Sequence, residues 1–193
     1  MLVPRRWTMW GIPASLFFVA FLHRAAPGVI ARDLMEAFGM TSGAVGLLAA
    51  TYFYSYAGLM IPGGVVIDAL GPRVVVAVGG AVMGAGALAI AAADGTAALF
   101  AGRFVVGLGA TVTFIGALKV AAAWFPASRF GFLAALTATV GMLGALASSL
   151  PLAALVAVTG WRGAFVIVGV VTLALAALCA VVVRDRPAGA AEA

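Results

Sequence analysis

The stretch Ile61–Arg73, IPGGVVIDALGPR, decides the fold, because a long apolar run stops within it and another begins after it. Asp68 and Arg73 stand there almost alone among apolar side chains and glycines. A charged turn between two apolar runs of helical length indicates two membrane-crossing helices joined at a membrane surface. A turn that only marks the membrane boundary would show the same pattern.

The composition excludes a soluble domain. Of 193 residues 65% are hydrophobic and 9% are charged, and the mean hydropathy is +1.22, which leaves too few polar side chains to cover a soluble protein. The net charge of +5 is scattered between apolar runs, so a nucleic-acid partner is not expected. One cysteine and one histidine, Cys179 and His23, cannot form a disulfide or a metal cluster, and we predict no metal and no cofactor.

The rest of the chain divides into apolar runs of about the length that crosses a bilayer. We predict an all-α polytopic membrane protein in which residues 1–186 form one bundle and 187–193 a flexible tail or linker. Gly39 should stop the first helical segment, which continues past the first span, and Thr41 should start the next. The six predicted spans are 8–30, 43–67, 74–93, 97–125, 132–158 and 161–183.

The basic residues predict the orientation of the six spans. With the N-terminus inside, the residues inside or near the inner surface are Arg5, Arg6, Arg73, Lys119, Arg129, Arg184 and Arg186, against Arg32 and Arg162 outside. We therefore expect both termini in the cytoplasm and a multi-pass protein of the inner cell membrane, with the lipid bilayer as its first partner.

Three polar side chains are candidates for binding a ligand inside the spans. Arg24 lies well inside the first span, where an arginine binds an anion, binds a neighbouring helix or reaches the outer surface. Tyr52 and Tyr56 stand one turn apart on one face, where they either bind a ligand or pack as aromatics. His23 sits about 100° round the helix from Arg24, and a proton-carrying role for it stays open.

Arg103 and the charged turn raise two further structural alternatives. Arg103 lies about 12 Å inside the outer end of its span, at helical rise, so it either snorkels or finds polar partners. Gly64 lets another helix approach, Gly71 provides an unusual backbone conformation, and Arg73 pairs with Asp68 or binds helix carbonyls.

Four segments together resemble the N-terminal half of a major facilitator superfamily transporter. The family's loop signature is matched at Gly64, Asp68, Gly71 and Arg73 but departs from it at Ala69 and Val74, where the family carries basic residues. The remaining matches are Arg103, Gly107 and Gly109 in span four, the turn 124–131 (WFPASRFG) and the turn 160–165 (GWRGAF). The resemblance covers the chain from Trp10 to Arg186.

The resemblance implies roles for these residues. It makes Asp68, Arg73 and the matching positions Gly64, Gly71, Arg103 and Arg129 a conformational latch between two halves of a transporter. The segment around Arg24 is similar to carriers of organic anions, including organophosphate, sugar-acid and nitrate carriers. In the organophosphate group an arginine at the position of Arg24 contacts the phosphate. Met60 stands where the organophosphate group has a lysine, and the antiporter signature of span five is missing. The resemblance therefore favours a small anion, bound by Arg24, Tyr52 and Tyr56.

The family has about twelve spans in two six-helix halves, and this chain matches one. It is therefore expected to be a fragment, one part of a split transporter, or a subunit of a homodimer. We expect a secondary transporter unit that works by alternating access, with a proton or counter-substrate as a further partner. The alternative is a non-transporting accessory or assembly protein. An enzyme is not expected, because the spans carry no paired carboxylates, histidine cluster or Ser/His pair, and we assign no catalytic residue.

Overall fold

The structure is a computed structural model that describes residues 2–187, with side chains from Arg5 onward. This part of the chain contains only helices, so the predicted all-α fold is confirmed. Six of the helices are long and apolar enough to cross a membrane. The elements are α1 Leu2–Val29, α2 Ala31–Phe38, α3 Ser42–Leu70, α4 Pro72–Ala91, α5 Thr96–Trp124, a 3-10 turn Ala127–Arg129, α6 Phe130–Ala147 and α7 Leu150–Val182.

The first predicted helical segment is divided in two. Its helix was expected to run on to Gly39, but α1 ends at Val29 and α2 begins two residues later. Pro27 lies in the last turn of α1 and has no N–H to donate, which weakens the helix there. Gly39 does end α2, in the left-handed conformation with φ 61°. Thr41 caps α3, because its hydroxyl oxygen accepts from the Ala44 N–H at 3.2 Å.

The fifth predicted span, 132–158, is also interrupted. Helix α6 ends at Ala147, and α7 begins at Leu150 with Pro151 in its first turn. The hydroxyls of Ser148 and Ser149 donate to the carbonyls of Ala145 and Leu146, at 2.6 Å each, and so satisfy acceptors at the end of α6. Helix α7 itself consists of two helical parts, because Gly160 has a non-helical backbone with φ 71° and ψ 164°.

The bundle is built around α1, α4 and α5. Helix α4 packs between α5 and α7, while α1 packs against α5, α6 and α7. The backbones of α4 and α5 touch directly, since a Cβ added at Gly109 would lie 2.3 Å from the carbonyl oxygen of Gly79. Helices α3 and α6 lie at the flanks, and most of their surface faces outward.

The two ends of the described chain lie at the same end of the bundle. The Arg5 guanidinium stacks on the ring of Trp124 at 5.9 Å. The indole N–H of Trp124 donates to the carbonyl of Arg184 at 2.8 Å. The α3–α4 turn with Asp68 lies at this end too, and we call it the Asp68 end. The other end carries α2, the α4–α5 turn and Gly160.

Candidate functional site

A cavity of about 340 Å³ lies between α1, α3, α5 and α6. Its walls are mostly apolar and include the rings of Phe17 and Phe114. The structure brings the three predicted ligand-binding residues together here, since the polar side chains that line the cavity are Arg24, Tyr52 and Tyr56. Arg24 comes from α1 and both tyrosines come from one face of α3.

The Arg24 side chain is held by aromatic rings. Its guanidinium carbon lies 5.0 Å from the ring centre of Phe21 and 4.8 Å from that of Phe53. Such cation–π contacts stabilise the charge without using the N–H groups in the guanidinium plane. Among residues 2–187 no carboxylate pairs with Arg24. The arrangement therefore presents a positive group with free donors inside an apolar cavity.

The two tyrosines make different contributions. Their rings are stacked, with centroids 6.0 Å apart. The hydroxyl of the buried Tyr52 donates to the carbonyl of Ala20 at 3.3 Å, so this group is already engaged in joining α3 to α1. Tyr56 is half-buried, and its hydroxyl makes no hydrogen bond to another described residue. Tyr52 thus contributes its ring to the wall, whereas Tyr56 retains a free hydroxyl.

Arg103 does not snorkel. It is 1% exposed, and its two terminal nitrogens donate to the carbonyls of His23 at 2.5 Å and Arg24 at 2.8 Å. Arg103 finds a free acceptor on α1 because Pro27 has no N–H, which leaves the carbonyl of His23 without its helical hydrogen bond. The guanidinium also lies 4.9 Å from the ring centre of Tyr52. Arg103 therefore fixes the backbone that carries Arg24.

His23 faces away from the cavity. It is buried on another side of α1, with its ring 6.2 Å from that of Phe165 and its Nε2 3.5 Å from the hydroxyl of Thr172. Both neighbours belong to α7. The sequence prediction that it need not share the face of Arg24 agrees with this placement, and nothing here connects it to the ligand cavity.

At the Asp68 end, a cluster of polar side chains joins the α3–α4 turn, α5 and the end of α7 with the residues that follow it. We call this cluster the Asp68 group. The Asp68 carboxylate pairs with the ammonium of Lys119. Arg73 takes the second of its two predicted alternatives, since its Nε donates to the carbonyl of Ala180 at 2.8 Å. The backbone N–H of Arg73 donates to the Asp185 carboxylate at 2.6 Å, which places a negative charge at the start of α4.

Gly71 is needed in this group for two reasons. Its φ of 82° is costly for other residues, and a Cβ there would lie 2.8 Å from a carboxylate oxygen of Asp185. Sequence reasoning missed Lys119 and Asp185 as members. Lys119 is 51 residues from Asp68 and Asp185 is 112 residues from Arg73, so no local pattern connects them. The spacing of α5 alone would place Lys119 near the Asp68 end.

The structure does not bring Arg103 and Arg129 into the Asp68 group, and their predicted role in a latch between two halves stays a prediction. Arg103 lies sixteen residues before Lys119 on α5, or about 24 Å at helical rise, and binds α1 instead. Arg129 lines a separate pocket with Arg6. Gly64 is near the group in sequence, but a Cβ added to it would meet no atom within 4 Å. The helix contact predicted for Gly64 is thus not made within the described part of this chain.

Comparison with known proteins gives a consistent picture. Residues 14–193 match the family model described as Major Facilitator Superfamily. A protein of Cupriavidus necator named "Probable sulfoacetate transporter SauU" is 29% identical over 185 residues, which cover 96% of this chain and 43% of that protein. A protein of Bacillus subtilis named "Probable galactarate/D-glucarate transporter GudP" is 28% identical over 179 residues, which cover 88% of this chain and 39% of that protein.

A solved structure shows the same fold. It is a bacterial homolog of the human lysosomal transporter Spinster, in an inward-facing and unoccupied conformation. It aligns with a TM-score of 0.85 and 17% identity, over 97% of this chain and 45% of that one. The chain therefore spans less than half the length of the relatives and of the solved structure that it matches.

Proposed function

This chain belongs to the major facilitator superfamily, and we propose that it is one six-helix half of a secondary transporter that carries a small organic anion by alternating access. The observation that carries the proposal is Arg24, a guanidinium with free donors in an apolar cavity. Relatives named for sulfoacetate and for galactarate or D-glucarate support an acid as the substrate.

Arg24 is suited to an anion because of what surrounds it. A charged side chain within a membrane costs several kcal/mol unless it is paired or hydrated. Its contacts to Phe21 and Phe53 offset part of this cost but leave the N–H groups for a carboxylate, sulfonate or phosphate oxygen. The free hydroxyl of Tyr56 can donate to a second oxygen, and the aromatic walls fit the apolar part of a small acid.

The side chains that line this cavity favour transport by exchange of one anion for another over transport coupled to protons. The lining residues include no carboxylate and no histidine, and His23 faces α7 instead. Histidine and carboxylate side chains are the usual carriers of a coupled proton, and none lines the cavity in the described chain. The counter-substrate that we propose is a second anion.

Alternating access requires a second six-helix unit across the cavity. We propose that Gly64, Asp68, Gly71 and Arg73 form the latch that contacts this unit, whether the unit is a copy of this chain, a separate chain or a further part of a longer chain. The free surface at Gly64 supports this, since nothing in the described chain occupies it. We further propose that the Asp68 end, with its arginines, faces the cytoplasm and that the membrane is the inner cell membrane.

The test combines binding and transport. The chain is purified and reconstituted in liposomes, and binding and uptake of labelled two-carbon sulfonated and carboxylated acids are measured. A charge-assisted hydrogen bond is worth roughly 1.5–3 kcal/mol, so Arg24→Ala should weaken binding about 10- to 100-fold. Arg24→Lys should recover part of the lost affinity, because the lysine ammonium keeps the positive charge but lacks the planar set of donors of a guanidinium.

The control is Arg32→Ala, since Arg32 has a 90% exposed side chain at the opposite end of the bundle from Asp68. It should bind and transport as the unchanged chain does. Binding by Arg24→Ala with unchanged affinity would contradict the assignment of the anion site. Anion binding without uptake by the chain alone would show that a separately supplied second half is required.

A further inference from the structure

A second, unrelated pocket lies at the Asp68 end, between the start of α1 and the α5–α6 connection. It has a volume of about 220 Å³ and is lined by Arg6, Trp7, Phe125, Pro126 and Arg129. It shares no lining residue with the Arg24 cavity or with the Asp68 group. Nothing in the proposed transport cycle uses its two arginines.

Within residues 5–187 the two guanidiniums have no negative partner. Five carboxylates lie within residues 2–187, namely Asp33, Glu36, Asp68, Asp94 and Asp185. Asp68 pairs with Lys119, and Asp185 accepts from the N–H of Arg73. The other three belong to α2 and the α4–α5 turn, at the opposite end of the bundle. Two arginines in one pocket without a carboxylate make a site for an anion.

The position of the pocket identifies the kind of anion. Trp7 is 36% exposed and packs edge-on against Trp10 and Phe125, at 5.7 and 5.2 Å between ring centres. Aromatic side chains of this kind mark the level of lipid headgroups. Immediately beyond Arg129, the rings of Phe130 and Phe132 are exposed on α6. Charge and apolar surface therefore adjoin, which suits an amphiphile better than a free ion.

We propose that this pocket binds the phosphate of an anionic glycerophospholipid, with Arg6 and Arg129 on the phosphate and the acyl chains beside Phe132. Basic pockets between helices at a membrane surface bind anionic headgroups in this way. A lipid bound here would hold the start of α1 to the α5–α6 connection. Because α1 also carries Arg24, binding of a lipid in this pocket would couple the lipid to the Arg24 cavity through α1.

The experiment compares retention of phosphatidylglycerol and phosphatidylcholine on the purified, delipidated protein by native mass spectrometry. The double variant Arg6→Gln with Arg129→Gln should lose affinity for phosphatidylglycerol about thirtyfold, from roughly 1 kcal/mol for each arginine near an anionic surface. The charge-preserving pair Arg6→Lys with Arg129→Lys should retain most of it. Binding of phosphatidylcholine should change little in either.

The matched control is Arg184→Gln with Arg186→Gln, which removes two exposed charges at the same end of the bundle. It should stay within twofold of the unchanged chain. An equal loss in this control would show general surface electrostatics and overturn the proposal, as would unchanged binding by the double variant. Displacement of the lipid by millimolar inorganic phosphate would show a site for a free anion instead.

Discussion

Arg103 holds the part of α1 that forms one wall of the Arg24 cavity, although it does not itself line the cavity. Its two donors bind consecutive carbonyls of α1, one of which Pro27 leaves without a helical partner. Proline within a membrane helix is tolerated only where a neighbour re-satisfies the freed backbone. Arg103 performs this function, and it places the Arg24 backbone at the same time.

Arg103→Met is therefore expected to destabilise the protein by about 1–3 kcal/mol, since it leaves the buried carbonyl of His23 unpaired. Unfolding by sodium dodecyl sulfate, followed by tryptophan fluorescence, measures the change. Arg103→Lys should recover only part of the loss, because lysine cannot present two donors in a fixed fork. Arg32→Ala serves as the control with an exposed arginine. Stability equal to that of the unchanged chain in Arg103→Met would contradict this role.

At the scale of single residues, the sequence predicted those candidate site residues whose neighbours lie on the same helix or on an adjacent one. The one-turn spacing of Tyr52 and Tyr56 and the mid-span position of Arg24 follow from helical geometry, and the structure places all three at one cavity. Lys119 and Asp185 could not be found in this way. Their partners depend on how α3, α5 and α7 meet, which no local pattern encodes.

At the scale of elements, the contact between α4 and α5 rests on two facing glycines. A Cβ at Gly109 would lie 2.3 Å from the carbonyl oxygen of Gly79, and one at Gly79 would lie 2.8 Å from the carbonyl oxygen of Gly109. Backbone meets backbone here, so a side chain cannot be accommodated by a rotamer change. Small residues are what allow membrane helices to approach so closely.

We expect Gly109→Ala to destabilise the bundle by about 1–3 kcal/mol, because the two helices must separate. Gly46→Ala is the matched control. Gly46 lies within α3 with no atom within 4 Å of an added Cβ, so alanine there should be neutral or slightly stabilising. The two variants are compared by thermal unfolding in the same detergent. A similar melting temperature for both would exclude the close contact.

Hydropathy predicted the six membrane-spanning helices but not the points at which the predicted helices are interrupted. Six apolar runs of sufficient length give six membrane-capable helices in the described chain. The divisions after Val29 and Ala147 depend on Pro27 and Pro151 together with what neighbouring helices supply. Proline alone leaves both outcomes open, since a membrane helix with proline either continues or stops according to its partners.

At the scale of the whole molecule, the cavity is lined in part by α3 and α6, the two helices that expose most of their surface. Ile61 on α3 is 82% exposed and Met142 on α6 is 63% exposed. Apolar exposure is ordinary for a surface in lipid and indicates no partner by itself. The exposed guanidinium of Arg24 is different, because a charged side chain within a membrane costs several kcal/mol unless it is paired or hydrated. A second six-helix unit over this face would enclose the guanidinium between two halves.

Gly64 provides the test of whether a second copy supplies that unit. Because an added Cβ meets no atom of the described chain, Gly64→Leu should leave the stability of the single chain unchanged. If Gly64 instead packs against a second copy, leucine should weaken self-association by about 1–3 kcal/mol. Energy transfer between differently labelled copies, measured while liposomes are diluted with lipid, reports this change.

The control for this test is Gly46→Leu, which adds the same side chain to the same helix near its other end, where an added Cβ also meets no atom within 4 Å. It should leave energy transfer unchanged, because Gly46 lies away from the latch. An equal loss of energy transfer in both variants would show that any large side chain added to α3 weakens association. It would contradict a specific contact at Gly64. Absence of energy transfer in the unchanged chain would exclude a second copy of this chain as the source of the opposing surface.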